Sequence, residues 1–151
     1  LKPLTAFEEP AIKYFSGEAT YKLKFRALPH FISGRDSIYL NLGTFESLAE
    51  VTLNGKYLGQ FWLPDFNIKV NDIIKGDNVL EVKVSNVSRN RIIGDLNEYG
   101  QLKNLWTTAN VKDQLSKDLP LKPSGLIGPI KLIRVKGIRL RDQSEKQESK
   151  E

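Results

Sequence analysis

The chain has 151 residues, enough for one domain with a hydrophobic core, and its 40% apolar and 27% charged residues are an ordinary balance for a globular protein. It has no cysteine, which excludes disulfides, thiolate metal sites and a cysteine nucleophile within this chain, and no apolar run approaches the ~20 residues of a membrane helix. The net charge of +5 is not gathered in one block, so we predict neither a nucleic-acid partner nor a membrane partner.

Two features concern the ends of the chain. The sequence contains no methionine, so we expect a fragment or a processed product of a longer protein. After Leu140 the sequence has no apolar residue and therefore nothing to pack. We predict a folded domain over residues 1–138, followed by a disordered charged tail over residues 139–151.

Apolar and polar residues alternate along much of the chain with the period of two that is typical of strands. Residues 20–28 predict the first strand, and the side chains expected on its buried face are Tyr21, Leu23, Phe25 and Ala27. Further strands are predicted over residues 38–42, 49–53, 66–70, 80–84 and 130–135, with a return strand starting at residue 57. The segment 130–135 is apolar at most positions, which predicts a strand covered on both faces.

Turn residues separate these strands. Asn54-Gly55 is the strongest hairpin signal because both residues tolerate a positive φ. Residues 71–76 predict one short helical turn, capped by Asn71 or Asp72 and ended by Gly76.

Between residues 86 and 128 the alternation fails, and no stretch of the chain shows a long helical period. We expect one or two short strands or a helical turn near residues 102–111, because a structureless loop of this length is unusual in a compact domain. About seven or eight short strands, spaced by regular turn signals, predict an all-β fold, an antiparallel β-sandwich or jelly roll.

Four local patterns, in this order and at this spacing, resemble the galactose-binding-like jelly-roll domain of glycoside hydrolases. They are residues 14–21 (YFSGEATY), 49–59 (AEVTLNGKYLG), 76–86 (GDNVLEVKVSN) and 123–130 (PSGLIGPI). The sequence is most similar to the sugar-binding domain of family 2 enzymes, the β-galactosidase type, and to the terminal domain of family 106 α-L-rhamnosidases. The segment 90–95 (NRIIGD) resembles the rhamnosidase type in particular.

The resemblance implies a domain without an active site of its own. In these families the catalytic carboxylates lie on a separate (β/α)₈ barrel of ~250 residues, which this chain cannot contain. The resemblance further implies a periplasmic or secreted bacterial protein whose partner is the catalytic domain of the parent enzyme.

The residues themselves offer few candidates for catalysis. Two carboxyl groups drawn from Glu46, Glu50 and Asp95 could flank a glycosidic bond, but we expect solvated carboxylates. The single histidine, His30, follows a proline in a turn and has no second histidine or cysteine to share a zinc ion. No nucleophile elbow, P-loop or dinucleotide fingerprint occurs. We therefore predict that the chain is not an enzyme and has no cofactor.

A structural calcium ion is the one metal left open, since the resemblance implies such an ion for domains of this broad type. Oxygen ligands for it are available at Asn71, Asp72, Asp77 and Asn78. The same residue types form caps and turns, which is the interpretation we favour.

Carbohydrate recognition needs flat aromatic faces and planar polar side chains. The aromatic candidates are Tyr14, Trp62, Tyr99 and Trp106, and the polar candidates are Asn90, Arg91, Asp95 and Asn97. For each tryptophan the alternative is a partly buried place in the core. Arg91 and Asp95 form either a salt bridge that pins the long loop or a pair of ligand contacts.

Three functions are compatible with these observations. We favour a non-catalytic accessory domain that packs on the catalytic domain of a glycoside hydrolase or lines its cleft. The alternative is an autonomous carbohydrate-binding module that targets an enzyme to polysaccharide, whose binding Trp62→Ala or Trp106→Ala would abolish. The third is a protein-interaction sandwich, which predicts an exposed apolar patch and no sugar-lined groove.

Overall fold

The computed structural model describes residues 1–29, 36–64, 66–103, 106 and 116–137. Their strands are β1 (Gly17–Arg26), β2 (Ser37–Asn41), β3 (Thr44–Phe45), β4 (Leu48–Leu53), β5 (Lys56–Phe61), β6 (Asn67–Lys69), β7 (Asp77–Asn86), β8 (Leu126–Gly128) and β9 (Lys131–Val135). Their helices are a 3₁₀ turn (Leu4–Ala6), α1 (Pro10–Lys13) and α2 (Arg89–Tyr99). None of these helices has the length and apolar character needed to span a bilayer. His30, the predicted tail and most of residues 102–111 lie outside the described residues.

The strands form an antiparallel sandwich, which confirms the predicted all-β class. One sheet has the order β1-β7-β4-β5, a second has the order β6-β2-β9, and a short third sheet pairs β3 with β8. A single buried cluster takes side chains from all three sheets. Its most completely enclosed members are Leu40, Val51, Leu53, Val70, Leu80, Val82, Val84 and Leu126. The alternating pattern of the sequence places these residues on the inner faces.

The predicted hairpin is confirmed. Asn54 and Gly55 connect β4 to β5 with φ values of 53° and 79°, and Leu53 pairs with Lys56 on either side of the turn. Only residues that tolerate the left-handed region fit a two-residue turn whose twist matches that of the strands.

A second turn, before β7, is organised by the buried side chain of Asn78. Its Oδ1 accepts hydrogen bonds from the Lys75 N–H and from Asn54 Nδ2, both at 2.9 Å. Its Nδ2 donates to the carbonyls of Lys75 at 2.7 Å and Gly76 at 3.3 Å. The carboxamide therefore fastens this turn to the β4–β5 hairpin.

The expected cap at Asn71 is wrong. The chain does turn there, since the N–H groups of Ile73 and Ile74 both donate to the Val70 carbonyl. The Asn71 side chain, however, accepts a hydrogen bond from the Ile38 N–H at 2.8 Å and donates to the Asp36 carbonyl at 2.6 Å. It fastens the turn to β2 instead of capping a helix.

Two expectations about burial are also wrong, and both concern strands at sheet edges. Among the described strands β9 pairs with β2 alone, and Lys131, Arg134 and Val135 are exposed, so it is not covered on both faces. In β1, whose one partner within the described part of the chain is β7, Leu23 is 43% exposed although it lies on the inward side of the pleat. Alternation reveals the face to which a residue belongs but not whether the strand is central.

The helix α2 was not predicted by the sequence. Its buried positions include Asn90 and Asp95 as well as Ile92 and Ile93, so no continuous apolar stripe marks it. It ends at Gly100, whose φ of 69° lets its N–H bond to the Leu96 carbonyl.

Ion pairs cross the outer face of the four-stranded sheet. Lys83 lies 3.0 Å from Glu50 on one neighbouring strand and 3.3 Å from Glu18 on the other. Hydrogen bonds from Lys83, and then from Gln60, hold the pKa of Glu50 below its usual 4.5. Glu50 and then Glu18 raise the pKa of Lys83 above 10.5. This face is therefore polar, and ion pairs link its neighbouring strands.

Asp36 forms a separate contact that fastens the end of β9. Its carboxylate accepts hydrogen bonds from Arg134 Nε and from the Gly137 N–H, and these bonds lower its pKa below 3.8. Because the folded pKa lies below the unfolded one, the stabilisation is complete above the unfolded value. It is lost as the pH falls through the folded value.

We therefore expect the Asp36→Asn variant to have a lower Tm than the parent protein at pH 7, with the difference vanishing as the pH approaches about 2. Thermal unfolding, monitored by circular dichroism at several values between pH 2 and pH 7, measures this difference in Tm. Asp72→Asn is the matched control, because Asp72 is exposed and has no ion pair among the described residues, and its Tm should follow the parent throughout. A Tm difference for Asp36→Asn that is independent of pH would contradict the expectation.

Candidate functional site

Four of the side chains predicted to contact carbohydrate line one groove. Tyr14 comes from the end of α1, and Arg91, Asp95 and Tyr99 come from α2. The remaining lining residues are Glu9, Pro10, Ala11, Gly94 and Glu98, and the open groove has a volume of about 470 Å³. We call it the α1–α2 groove.

The pairing of β1 with β7 brings the two walls of this groove together. Gly17, the first residue of β1, is opposite Asn86, the last residue of β7. The segment before β1 and the helix after β7 therefore emerge at the same end of the sheet. There the Tyr14 side chain lies so close to Gly94 that a Cβ at Gly94 would overlap the Tyr14 Cβ and ring.

The polar part of the groove is held by Asp95, which is 3% exposed. One carboxylate oxygen accepts a hydrogen bond from Arg91 Nε at 2.9 Å, and the other accepts one from the Lys103 N–H at 3.0 Å. Of the two roles considered for Arg91 and Asp95, the salt bridge is therefore formed. The Arg91 side chain is still 43% exposed, so its remaining N–H groups can reach a ligand.

Other polar residues of α2 fasten the helix to the chain that precedes β8. The buried Asn90 side chain donates to the Lys122 carbonyl at 2.7 Å and accepts from the Lys122 N–H at 3.0 Å. Arg89 donates to the Pro120 carbonyl, and Asn97 donates to the carbonyls of Ile93 and Lys117. The Asn90 carboxamide is thus occupied by backbone groups outside the groove.

The two tryptophans do not line the α1–α2 groove, and the alternative that placed them partly buried in the core is wrong. Trp62 is 71% exposed and Trp106 is 86% exposed. Trp62 belongs to an apolar patch that follows β5, with Leu63 and Phe66 also exposed and the rings of Phe61 and Phe66 5.1 Å apart. We call these four residues the β5-end patch.

The β5-end patch and the α1–α2 groove share one end of the four-stranded sheet. Phe61 pairs with Ala49, which also pairs with Val84, two residues before the end of β7. With neighbouring strands ~4.8 Å apart, the ends of β5 and β1 are separated by three strand spacings, about 14 Å.

Five lining residues were not predicted from the sequence, namely Glu9, Pro10, Ala11, Gly94 and Glu98. The signal that could have identified Gly94 is its position between Ser88 and Gly100, residues that can begin and end a helix. A glycine inside a helix costs about 1 kcal/mol relative to alanine, so it indicates close packing.

Two of the three carboxylates considered for catalysis are held in separate ion pairs. Glu50 contacts Lys83 on the outer face of the sheet, whereas Asp95 contacts Arg91 in α2. The general acid of a glycoside hydrolase needs a raised pKa, and the pKa of Glu50 is lowered instead. Glu46 lies between β3 and β4, where its N–H donates to the Gly125 carbonyl.

The calcium candidates behave as turn residues. The side-chain oxygens of Asn71 and Asn78 accept backbone N–H groups, while Asp72 and Asp77 are exposed. Within the described ranges, no three His, Cys, Asp or Glu side chains are grouped so that they could hold a metal ion.

Comparison with known proteins relates the chain to glycoside hydrolases. No family model matches it. It is 36% identical over 153 residues to the Formosa agariphila protein named "Putative beta-glucuronidase", covering 87% of this chain and 13% of that protein. The structure of a rhamnosidase from Novosphingobium sp. PP1Y matches with a TM-score of 0.77 and 38% identity over 89% of this chain and 12% of that one.

A Ruminococcus gnavus beta-glucuronidase matches with a TM-score of 0.50 over 56% of this chain and 15% of its own, and its 18% identity shows a shared fold alone. The chain thus spans about an eighth of the length of the curated relative and of the rhamnosidase. It is a β-sandwich related to a domain-sized part of glycoside hydrolases.

Proposed function

We propose that this chain is a non-catalytic accessory domain of a larger glycoside hydrolase, of the galactose-binding-like jelly-roll type, which packs on the catalytic domain or lines its cleft. The observation that carries the proposal is the coverage: 89% of the chain matches only 12% of a rhamnosidase at 38% identity. A relationship of this kind is expected of one domain within a multidomain enzyme.

The β5-end patch supports a protein partner. Trp62, Leu63 and Phe66 are each more than half exposed and adjoin an apolar cleft of about 180 Å³. Exposed apolar surface of this kind marks interaction sites. The occupant we propose is the catalytic domain, because the relatives are about seven times as long as this chain and the additional length has to pack somewhere. The same relationship is the basis for proposing a periplasmic or secreted location.

A second candidate function, carbohydrate binding by the domain, is favoured by the α1–α2 groove. The groove combines two tyrosines with an exposed guanidinium, whereas a purely protein-binding sandwich would need no such groove. The two functions are compatible, because the β5-end patch and the groove are different surfaces.

The accessory-domain proposal predicts that residues 1–151 alone do not hydrolyse 4-nitrophenyl α-L-rhamnopyranoside or 4-nitrophenyl β-D-glucuronide. The longer polypeptide that contains them should hydrolyse one of these glycosides. Release of 4-nitrophenolate measures both, and the coding sequence on either side of the segment establishes the longer polypeptide. Turnover by the isolated chain would overturn the proposal, and so would a gene that encodes this domain alone.

A further inference from the structure

We propose that the α1–α2 groove binds a neutral saccharide in preference to a uronate. This inference rests on the second candidate function, carbohydrate binding, and assigns it a place and a ligand class. The volume of about 470 Å³ lies within the range of ligand-binding clefts in proteins.

Contacts within the chain hold both walls of the groove in place. Tyr14 packs against the backbone of Gly94, and Asp95 is fixed by both Arg91 and the Lys103 N–H. On the opposite side, Asn90 forms two hydrogen bonds with the Lys122 backbone. A site built on a helix that is fastened on two sides loses little conformational entropy on binding.

The exposed groups of the groove suit a pyranose ring. Tyr99 is 48% exposed, and Lys103 Nζ lies 4.1 Å from the centroid of its ring, so a sugar would have to place its C–H surface against the face opposite Lys103. The Arg91 Nε is bonded to Asp95, and the other N–H groups of this guanidinium form a planar fork that can donate to neighbouring hydroxyls. Glu9 and Glu98 supply acceptors.

The charge of the lining selects against an anionic sugar. The lining contains one guanidinium, that of Arg91, and three carboxylates, those of Asp95, Glu9 and Glu98, which gives a net charge of −2. Glu9 and Glu98 have no ion-pair partner among the described residues. Two lysines stand nearby, but Lys103 lies over the ring of Tyr99 and Lys13 lies 5.6 Å from that of Tyr14, and neither lines the groove. A uronate carboxylate would therefore meet like charge.

The test is a titration of the isotope-labelled chain with methyl α-L-rhamnopyranoside, methyl β-D-galactopyranoside and methyl β-D-glucuronate at millimolar concentration, followed by NMR. Amide shifts in α2 are expected with a neutral glycoside and weaker ones with the glucuronate. Tyr99→Ala should lower the affinity for the neutral glycoside about tenfold, which is the loss expected when a central aromatic contact is removed. Arg91→Lys keeps the positive charge but loses the planar set of guanidinium donors, so it should also lower the affinity for the neutral glycoside. Glu98→Gln should raise the affinity for the glucuronate relative to that for the neutral glycosides.

Tyr57→Ala is the matched control, because Tyr57 is 56% exposed on β5 beside the hairpin and away from the groove. Equal or tighter binding of the glucuronate would overturn the neutral preference while leaving carbohydrate binding intact. If Trp62→Ala abolished binding and Tyr99→Ala bound fully, the α1–α2 groove would not be the binding site, although carbohydrate binding itself would stand. No shift with any of the three glycosides would overturn both this inference and the second candidate function, whereas the accessory-domain proposal is tested separately by hydrolysis.

Discussion

Replacing Asn78 by alanine is expected to lower the free energy of unfolding by about 3 kcal/mol, because several polar groups beside it would lose their partner at once. The side chain is 2% exposed and bonds to the Lys75 N–H, the carbonyls of Lys75 and Gly76, and Asn54 Nδ2. A buried donor or acceptor left without a partner costs about 1–3 kcal/mol, and water reaches this turn only in part. Urea unfolding followed by tryptophan fluorescence and circular dichroism measures the loss.

Two further variants make the result specific to the Asn78 carboxamide. Asn97→Ala removes an exposed asparagine whose bonds water can replace, so it should cost less than about 1 kcal/mol. Asn78→Asp keeps the acceptor but turns a second oxygen toward the carbonyls of Lys75 and Gly76. Its deficit relative to the parent should therefore shrink as acid protonates the new carboxylate. An Asn78→Ala variant as stable as the parent would mean that this turn does not hold the β4–β5 hairpin.

Gly94→Val is expected to destabilise the fold by about 3 kcal/mol, the upper range for forcing extra atoms into a packed site. A Cβ at this position would overlap not only the Tyr14 ring but also the Tyr14 Cβ, which cannot swing aside without the backbone. Either α1 leaves α2 or the helix shifts, and in both cases the α1–α2 groove is lost. Denaturant unfolding measures the stability, and the near-ultraviolet circular dichroism of the tyrosines reports the displacement.

Gly76→Ala is the control for this substitution, because a Cβ at Gly76 would meet no atom within 4 Å and its φ is not in the left-handed region. It should change the stability by less than about 0.5 kcal/mol. In a Tyr14→Ala background, Gly94→Val should cost less than it does alone, since part of the overlap has gone. Equal costs in the two backgrounds would argue against the contact between Tyr14 and Gly94.

The sheets were predictable because their residues obey a local rule. Alternation in residues 20–28, 49–53 and 80–84 reflects strands whose two faces meet different surroundings, and Asn54-Gly55 marks a turn by its own backbone preference. The degree of burial at Leu23 and in β9 was predicted wrongly, because burial depends on how many neighbouring strands a strand has. That number is a property of the whole topology.

The groove was predictable only in part, for a different reason. Aromatic and polar residues suited to a sugar could be named in advance, but nothing local distinguishes Tyr99, which lines the groove, from Trp62, which does not. Tyr14 and Arg91 are far apart in sequence and meet through the pairing of β1 with β7. The helix that carries Arg91 was missed because its buried side includes Asn90 and Asp95, whose hydrogen bonds are visible only in three dimensions.

The register of the β1–β7 pairing also determines how the two walls of the groove are aligned. Tyr14 stands three residues before Gly17, and Arg89 stands three residues after Asn86, so the alignment of these strands sets the offset between α1 and α2. Sliding one strand by two residues would keep every inward side chain inward, yet it would displace one wall by about 7 Å relative to the other. A two-residue insertion or deletion within β1 should thus spare the hydrophobic interior and disrupt the groove, so that a stably folded variant would be no guarantee of an intact groove.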